Sequence, residues 1–337
     1  MESLTNAFKS GISVMPETVT LNRPLPRSNG RLMLCNIGRV GDTILRNSIL
    51  DSAFRTYAKV DYICGPSNAE LLRSDTRLNQ ITVMRNSFAG FASLAKAALL
   101  HRYDGFIDLK DHWSWTSVLI TSLFRSRVKT GWNTDRLKPF DRDVRSVYVL
   151  NKHKMETMRR IGELAGLEPG EYKPTLVLTA ESIRWFQENY AWEKPYIFLN
   201  ISATSEDRVW PVTHWARYVH SCGLGEGKEP ILVNGLPKDR ELVHELCSKL
   251  PGAVAFKPRQ FMDVAAALVN ARLVLTVDTG VVHACSALNK PIVALSHSGT
   301  EYGPLSTRKL VIQPPGCTVS QMAPELAIAE TLRRGLP

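Results

Sequence analysis

Short apolar runs alternate with amphipathic stretches along almost the whole chain. The apolar runs predict strands at Arg31–Asn36, Lys59–Cys64, Gln80–Met84, Gly105–Leu109, Ser146–Leu150, Tyr196–Ile201, Pro230–Asn234, Ala253–Lys257, Leu273–Val277, Ile292–Ser296 and Lys309–Gln313. Helical spacing between them predicts helices at Thr43–Tyr57, Met155–Ala165, Asp239–Leu250, Met262–Asn270, Val281–Leu288 and Ser320–Arg334. Such alternation is typical of parallel sheets covered by helices on both faces, so we predict an α/β protein.

The pattern restarts after Leu167–Gly170, and a chain of 337 residues has room for two domains of ~150 residues each. We therefore expect two Rossmann-like domains facing each other across a cleft, the first at 30–174 and the second at 175–337. Residues 1–29 contain Pro, Ser and Asn but no apolar signal-peptide core, which predicts a loosely ordered extension. No run approaches the ~18 apolar residues that a spanning helix needs.

Positive charge is concentrated in the first half of the chain. The net charge is +10, and residues 31–175 hold 23 Lys and Arg against 15 Asp and Glu, whereas residues 176–337 hold 16 against 15. This asymmetry favours an anionic partner such as nucleic acid, a phosphorylated glycan or an anionic membrane; the alternative is a basic surface that is merely solvated. Six dispersed cysteines without a C-x-x-C pair predict reduced, mostly buried thiols and a cytoplasmic protein.

The first strand ends in a glycine-containing turn, Gly38–Asp42, that leads into a helix. Ligands of parallel sheets bind where strands turn into helices, so this junction is a candidate site. Asp42 has two interpretations: an N-cap of the helix, or a cleft-facing carboxylate that serves as a general base toward a hydroxyl.

A second junction follows the strand that begins at Tyr196. Ser202, Thr204 and Ser205 supply hydroxyl groups there, and Arg208 supplies a fixed positive charge before Trp210-Pro211 opens the next helix. Small hydroxyl residues with one cation suit a diphosphate; an ordinary Ser/Thr-rich turn is the alternative.

The third junction contains Asp278-Thr279-Gly280, the tripeptide of aspartic proteases. Those enzymes pair two such carboxylates on an all-β framework, whereas this chain has one copy, between a strand and a helix, so a protease is excluded. A turn at a helix start instead favours an anion, and His283 lies one turn into that helix.

In this order, the Gly-Asp turn, "SATSEDRVWP" and "DTGVVHACSALNKPIVAL" followed by "GTEYGP" resemble glycosyltransferase family 9, the ADP-heptose:lipopolysaccharide heptosyltransferase family, from about residue 31 to 337. The resemblance implies a GT-B fold and a cytoplasmic enzyme that transfers heptose from ADP-heptose with inversion, without an essential metal or a cofactor. It implies an anionic glycolipid acceptor, the lipopolysaccharide inner core, bound by the basic N-terminal domain, and peripheral contact with the cytoplasmic face of the inner membrane.

The resemblance also implies residue roles. Asp42 matches the general base, and the donor is expected at Thr204, Ser205, Arg208, Asp278, Thr279, Gly280 and His283. Candidate acceptor contacts are Gly41, Arg39, Lys110, His112, Arg136 and His153, on the basic surface.

Departures such as Ser296–Thr300, where the family usually has an aromatic-Gly-Pro-Thr turn, leave open the transfer of another nucleotide sugar or the glycosylation of a protein. The basic first half and the Trp113/Trp115 pair suggest a further alternative, a non-catalytic nucleotide or nucleic-acid module. We expect no nucleic-acid partner, because no RNA-binding fingerprint is present. A D-x-D sequence, Asp141-Arg142-Asp143, suggests metal binding, but further hard-cation ligands are lacking nearby, so no metal is expected.

Overall fold

The computed structural model describes residues 29–85, 87–190, 195–225, 229–297, 301–314 and 316–336, without the side chain of Phe88. The predicted extension therefore lies outside the described residues apart from Asn29, as do Ser298–Thr300. Within the described ranges no helix is long and apolar enough to cross a membrane.

The first sheet has six parallel strands in the order β3-β2-β1-β4-β5-β6. They are β1 Arg31–Asn36, β2 Lys59–Cys64, β3 Gln80–Val83, β4 Tyr103–Asp108, β5 Ser126–Gly131 and β6 Arg142–Asp143. The strand order reverses between β1 and β4, where Cys35 lies opposite Asp108. A crevice at this point is where such sheets bind ligands.

The second sheet has six parallel strands in the order β12-β11-β10-β7-β8-β9. They are β7 Tyr196–Asn200, β8 Ile231–Asn234, β9 Ala253–Ala255, β10 Ala271–Val277, β11 Ile292–Leu295 and β12 Lys309–Ile312. Here the order reverses between β7 and β10, where Asn200 lies opposite Thr276. The prediction of an α/β protein built on two parallel sheets is confirmed.

Helices connect the strands in both halves. Those of the first half are α1 Val40–Arg46, α2 Leu50–Thr56, α3 Ala69–Arg73, α4 Phe88–Leu100, α5 Trp115–Leu123 and α6 Lys154–Ala165. Those that follow are α7 Ala180–Asn189, α8 Val212–Ser221, α9 Arg240–Lys249, α10 Phe261–Val269, α11 Gly280–Ala287 and α12 Pro324–Arg334.

Apolar side chains from both sheets join in one core. Leu34 of β1, Ile44 of α1 and Val281 of α11 belong to the same buried cluster. A separate cluster under α4 and α5, with Leu94 and Ile120, covers the other face of the first sheet. The two halves are thus held together by apolar packing close to α1 and α11.

Several secondary-structure predictions need correction. The strand at Ser146–Leu150 is wrong: a 3₁₀ turn, Val144–Ser146, leads into irregular chain there, and β5 and β6 complete the sheet instead. Strand β5 is only partly buried and contains charged residues, so its sequence lacks the apolar run that predicts a strand. The helix at Thr43–Tyr57 is divided into α1, a 3₁₀ turn and α2. Helices α4 and α5 escaped prediction because they are apolar around most of their circumference, which removes the helical period.

Candidate active site

The first turns of α1 and α11 contact each other. Helix α1 follows a strand of the first sheet, and α11 follows a strand of the second. A Cβ atom added to Gly41 would lie 2.9 Å from the Cα atom of Gly280 and 2.9 Å from Cδ2 of His283. Only glycine leaves room for so close an approach. The contact brings the junction after β1 against the junction after β10, so two regions far apart in sequence form one site.

Asp42 lies in the first turn of α1, not at its N-cap. Arg39 holds the N-cap position, and no side chain caps the helix there, so the N-cap interpretation is wrong. The half-buried Asp42 carboxylate faces a cavity of about 400 Å³ that is shared with Gly38, Arg46 and Lys110. No hydrogen-bond or ion-pair partner of this carboxylate occurs among the described residues, which leaves it available to a ligand.

The wall of this cavity is rich in cations. Lys110 is buried, and its Nζ atom donates to Ser114 Oγ at 2.9 Å. His112 is exposed, with Nδ1 at 3.3 Å from Asp111 Oδ1, and the exposed Arg39 lies on the same cavity. The structure therefore gathers three of the predicted acceptor contacts around Asp42.

A buried ion-pair network supports this wall. Asp111 accepts from Lys154 Nζ at 2.7 Å and from Arg46 Nη2 at 3.3 Å, and Arg46 Nη1 donates to Asn36 Oδ1 at 2.7 Å. Burial alone would raise the pKa of Asp111, but the hydrogen bond to His112 and the charges of Arg46 and Lys154 outweigh it and hold that pKa far below its usual range. Burial opposes the charge of Lys154, yet Asp111 and the hydroxyl of Tyr148 raise its pKa.

The sequence did not single out this network. Asp111 and Lys154 lie outside every junction motif, and the pairing joins residues 43 positions apart. The one available signal was the apolar strand β4, which ends immediately before Leu109–Asp111 at the same sheet edge as β1.

The segment at Glu301–Gly303 crosses from the second half to the first. Lys154 N donates to the Glu301 carbonyl at 3.0 Å, and the Lys154 ammonium lies 5.2 Å from the centre of the Tyr302 ring. His153 Nε2 lies 3.0 Å from the Gly303 carbonyl, while its Nδ1 accepts from Met155 N. Because both nitrogens of His153 are engaged, its prediction as an acceptor contact gains no support.

The donor-side candidates gather at the ends of β7 and β10. Arg208 Nη1 lies 3.6 Å from Asp278 Oδ2, and the Asp278 side chain is only 7% exposed. Thr279 caps α11 by accepting from Val281 N. Thr204 is exposed nearby in sequence, and the exposed Ser205 donates its hydroxyl to Asp207.

Two buried asparagines beneath this junction were missed. Asn200 Nδ2 donates to Thr276 Oγ1 at 3.0 Å and contacts Thr279 Oγ1 at 3.3 Å, and Asn234 Nδ2 donates to Asn200 Oδ1 at 2.7 Å. Each asparagine ends a buried strand, which is a readable signal. Asn200 thus contacts Thr279, the N-cap of α11, and Asn234 holds Asn200 in place.

His283 is buried where the halves meet. Burial, with a smaller contribution from His153, lowers its pKa to about 4, although the nearby Asp278 carboxylate acts in the opposite direction. Its ring centre lies 6.3 Å from that of Tyr302, and Nδ1 has no partner within the described part of the chain. His283 is therefore a neutral imidazole near pH 7.

The remaining candidates lie elsewhere on the first sheet. Arg136 is exposed in the turn after β5, outside the cavity at Asp42. The D-x-D carboxylates serve local structure, because Asp141 accepts from Lys129 N and Asp143 from Asn133 N and Arg145. Within the described ranges there is no group of three or more His, Cys, Asp or Glu side chains that could hold a metal ion.

Residues 91–323 match the profile of glycosyltransferase family 9 (heptosyltransferase). The chain belongs to this family. The predictions of the family, of the GT-B fold and of a glycosyltransferase are confirmed.

Individual relatives are more distant. Lipopolysaccharide heptosyltransferase 1 of Salmonella typhimurium is 25% identical over 62% of this chain, which spans 64% of that protein, less than two thirds of its length. A family 9 glycosyltransferase structure from Veillonella parvula superimposes with a TM-score of 0.76 at 16% identity, covering 90% of this chain and 96% of that one. The E. coli heptosyltransferase WaaC with ADP gives a TM-score of 0.72 at 18% identity, with coverages of 90% and 99%. These structures share the fold.

Proposed function

We propose that this family 9 member transfers a heptose from ADP-heptose, with inversion, to a hydroxyl group of an anionic glycolipid, the inner core of lipopolysaccharide. The observation that carries the proposal is the contact between Gly41 and Gly280. It brings the Asp42 carboxylate, which has no partner among the described residues, beside a helix start that suits an anion. The names of the relatives, a lipopolysaccharide heptosyltransferase and a heptosyltransferase bound to ADP, support this choice of donor and acceptor.

The donor diphosphate would lie at the start of α11. The backbone amides at Thr279 and Gly280 and the partial positive charge of the helix start favour phosphate oxygens there. Arg208 is more than a third exposed and adds a full positive charge beside Asp278. Thr204 and Ser205 would complete the diphosphate site from the turn after β7.

Asp42 would act as the general base. It takes the proton of the acceptor hydroxyl as that oxygen bonds to the anomeric carbon, on the face opposite the diphosphate. The bond from the anomeric carbon to the phosphate oxygen breaks, and ADP leaves with the bonding electrons. Attack from the opposite face inverts the anomeric configuration, and Arg208 with the α11 amides stabilises the charge on ADP.

The cations around the cavity would bind the acceptor. Lys110, His112 and Arg39 surround Asp42, which suits an acceptor that carries phosphate or carboxylate groups near the reacting hydroxyl. We propose a cytoplasmic enzyme that meets this lipid-linked acceptor at the membrane surface. Because protein cations can neutralise both substrates, the proposal needs neither a metal nor a cofactor.

The donor site is tested by thermal stabilisation. We expect ADP and ADP-heptose to raise Tm at concentrations where UDP does not, and Arg208→Gln to weaken ADP binding by ~100-fold, since one preorganised charge is lost. Arg217→Gln is the matched control, because Arg217 is also exposed and paired with a carboxylate, Glu325. Equal loss of ADP binding in both variants would argue against Arg208 as a donor contact.

The transfer itself is tested by mass spectrometry of products. Incubation with ADP-heptose and a heptose-free inner-core acceptor is expected to add one heptose and release ADP. Transfer from a different nucleotide sugar, or to a protein only, would contradict the proposed donor or acceptor. It would not contradict the assignment to the family.

A further inference from the structure

Helices α4 and α5 expose large apolar side chains on the outside of the first sheet. The exposed fractions are 69% for Trp115, 50% for Leu119 and 41% for Leu123 on α5, with 42% for Phe91 and 82% for Leu99 on α4. We call these five residues the outer apolar face. Large exposed hydrophobic side chains that recur along neighbouring helices indicate a surface for binding.

The outer apolar face follows the helical period. Trp115, Leu119 and Leu123 succeed one another at intervals of four residues, which places them on one stripe of α5. The buried side of the same helix contributes Ile120 to the core. Helix α5 therefore carries apolar residues on two sides, and the described residues cover only one of them.

The two sequence segments that contain this face carry charge of one sign. Residues 76–103 and 112–134, which include α4 and α5 with their flanks, contain no Asp or Glu. Exposed basic residues occur before, within and after the two helices: Arg85, Lys96, Arg102, Arg125 and Arg127. An apolar stripe flanked by Lys and Arg without acidic residues fits an anionic lipid surface.

The face begins next to the candidate active site. His112 lines the cavity at Asp42, and α5 starts at Trp115, a few residues further along the chain. The Trp113 and Trp115 rings pack edge to face with their centres 5.7 Å apart. Tryptophan favours the interfacial region of a bilayer, so this pair would sit at head-group level beside the cavity.

We propose that the outer apolar face inserts into the surface of an anionic lipid bilayer and holds the cavity at Asp42 against the head groups. The inference deepens the proposed function: a lipid-linked acceptor could reach Asp42 without leaving the bilayer. A second copy of the chain is a poorer occupant, because its own basic flanks would meet those of the first copy and repel them. Helices α4 and α5 have 13 and 9 residues, too few to span a bilayer, so the contact is interfacial.

Vesicle flotation tests the proposal with the full chain. Wild-type protein is expected to float with vesicles of phosphatidylcholine and phosphatidylglycerol, more weakly with phosphatidylcholine alone, and less at high salt. The triple variant Trp115→Gln/Leu119→Gln/Leu123→Gln is expected to bind anionic vesicles at least ~10-fold more weakly, because the inserted apolar area is lost. The substituted side chains are exposed, so Tm should be retained.

Matched controls separate the face from general surface properties. Leu332→Gln removes a 66% exposed leucine from α12 and should leave vesicle binding unchanged. Lys96→Gln/Arg125→Gln should weaken binding by about fivefold for each charge removed. Lys249→Gln/Arg308→Gln alters the net charge equally in the second half and should have little effect.

Three results would overturn the proposal. The first two are no vesicle binding by wild-type protein and equal binding by the triple variant. The third is a wild-type dimer in sedimentation that the triple substitution abolishes, together with no binding to vesicles. Transfer to a deacylated, soluble acceptor should survive the triple substitution. Face-dependent vesicle binding without any heptose transfer would support this inference and refute only the proposed function.

Discussion

The junctions after β1 and after β10 share one construction, yet their aspartates have different surroundings. Each junction follows a buried strand at the point where the strand order of the sheet reverses, and each has a glycine in the first turn of a helix. Asp42, at the first junction, is half-buried in a cationic cavity without a protein partner in the described ranges. Asp278, at the second, is almost fully buried and lies beside Arg208.

The difference shows that a carboxylate's surroundings decide its use. Asp278 neutralises and orients groups of its own junction, so its capacity to accept a proton is already committed. Two of the cations that line its cavity, Arg46 and Lys110, are held by Asp111 and Ser114, and Asp42 keeps its lone pairs for a ligand. The proposed base and the proposed donor site thus arise from the same local fold.

The largest expected effect separates the two carboxylates. Asp42→Asn should lower kcat by ~1000-fold while Tm and stabilisation by ADP stay at wild-type values, because only the proton acceptor is lost. Asp278→Asn should lower Tm and ADP affinity, yet retain more turnover than Asp42→Asn. Steady-state kinetics and ADP titration of both variants measure this, and equal profiles for the two would refute the division of roles.

The second effect concerns the buried imidazole between the junctions. The folded pKa of His283 is about 4, below the ordinary value of ~6.5, so the unfolded chain binds more protons between these values. Stability that is present above pH 6.5 is therefore lost as the pH falls towards 4, by up to about 3 kcal/mol.

The measurement is Tm from pH 7 to pH 4.5. His283→Asn should reduce the fall in Tm with decreasing pH, whereas substitution of the exposed His244 by Asn should leave that fall unchanged. A residual slope is expected from His153, whose pKa is also lowered by burial. An unaltered pH profile in His283→Asn would show that His283 is not the group that titrates.

The smallest effect distinguishes the two glycines. A Cβ atom at Gly41 would lie 2.9 Å from the backbone of Gly280, whereas one at Gly280 would have no neighbour closer than 3.4 Å. Gly41→Ala should therefore cost about 1–3 kcal/mol, because α1 and α11 must move apart. Gly280→Ala is the matched control and should be nearly neutral. Denaturant unfolding compares them, and equal losses would contradict the asymmetric contact.

Local patterns carried much of the prediction. A buried strand, a glycine and a helix start occur within a few residues, so the junctions at Asp42 and Asp278 could be read directly. The ion pair between Lys154 and Asp111 and the contact of the Tyr302 ring with Lys154 could not be predicted. Nothing in the local sequence fixes pairings between residues so far apart in the chain. Helices α4 and α5 were missed because apolar residues on both sides remove the amphipathic period.

The sequence by itself determined the alternation of strands and helices, the two junctions and the excess of positive charge in the first half. These depend on local periodicity and composition, which each segment carries alone. Within the described residues, the tertiary structure decided which carboxylate stays unpartnered, which histidine is neutral, and which apolar face is left uncovered. Those properties depend on desolvation and on neighbours from distant segments, and they exist only once the two sheets have packed through Gly41 and Gly280.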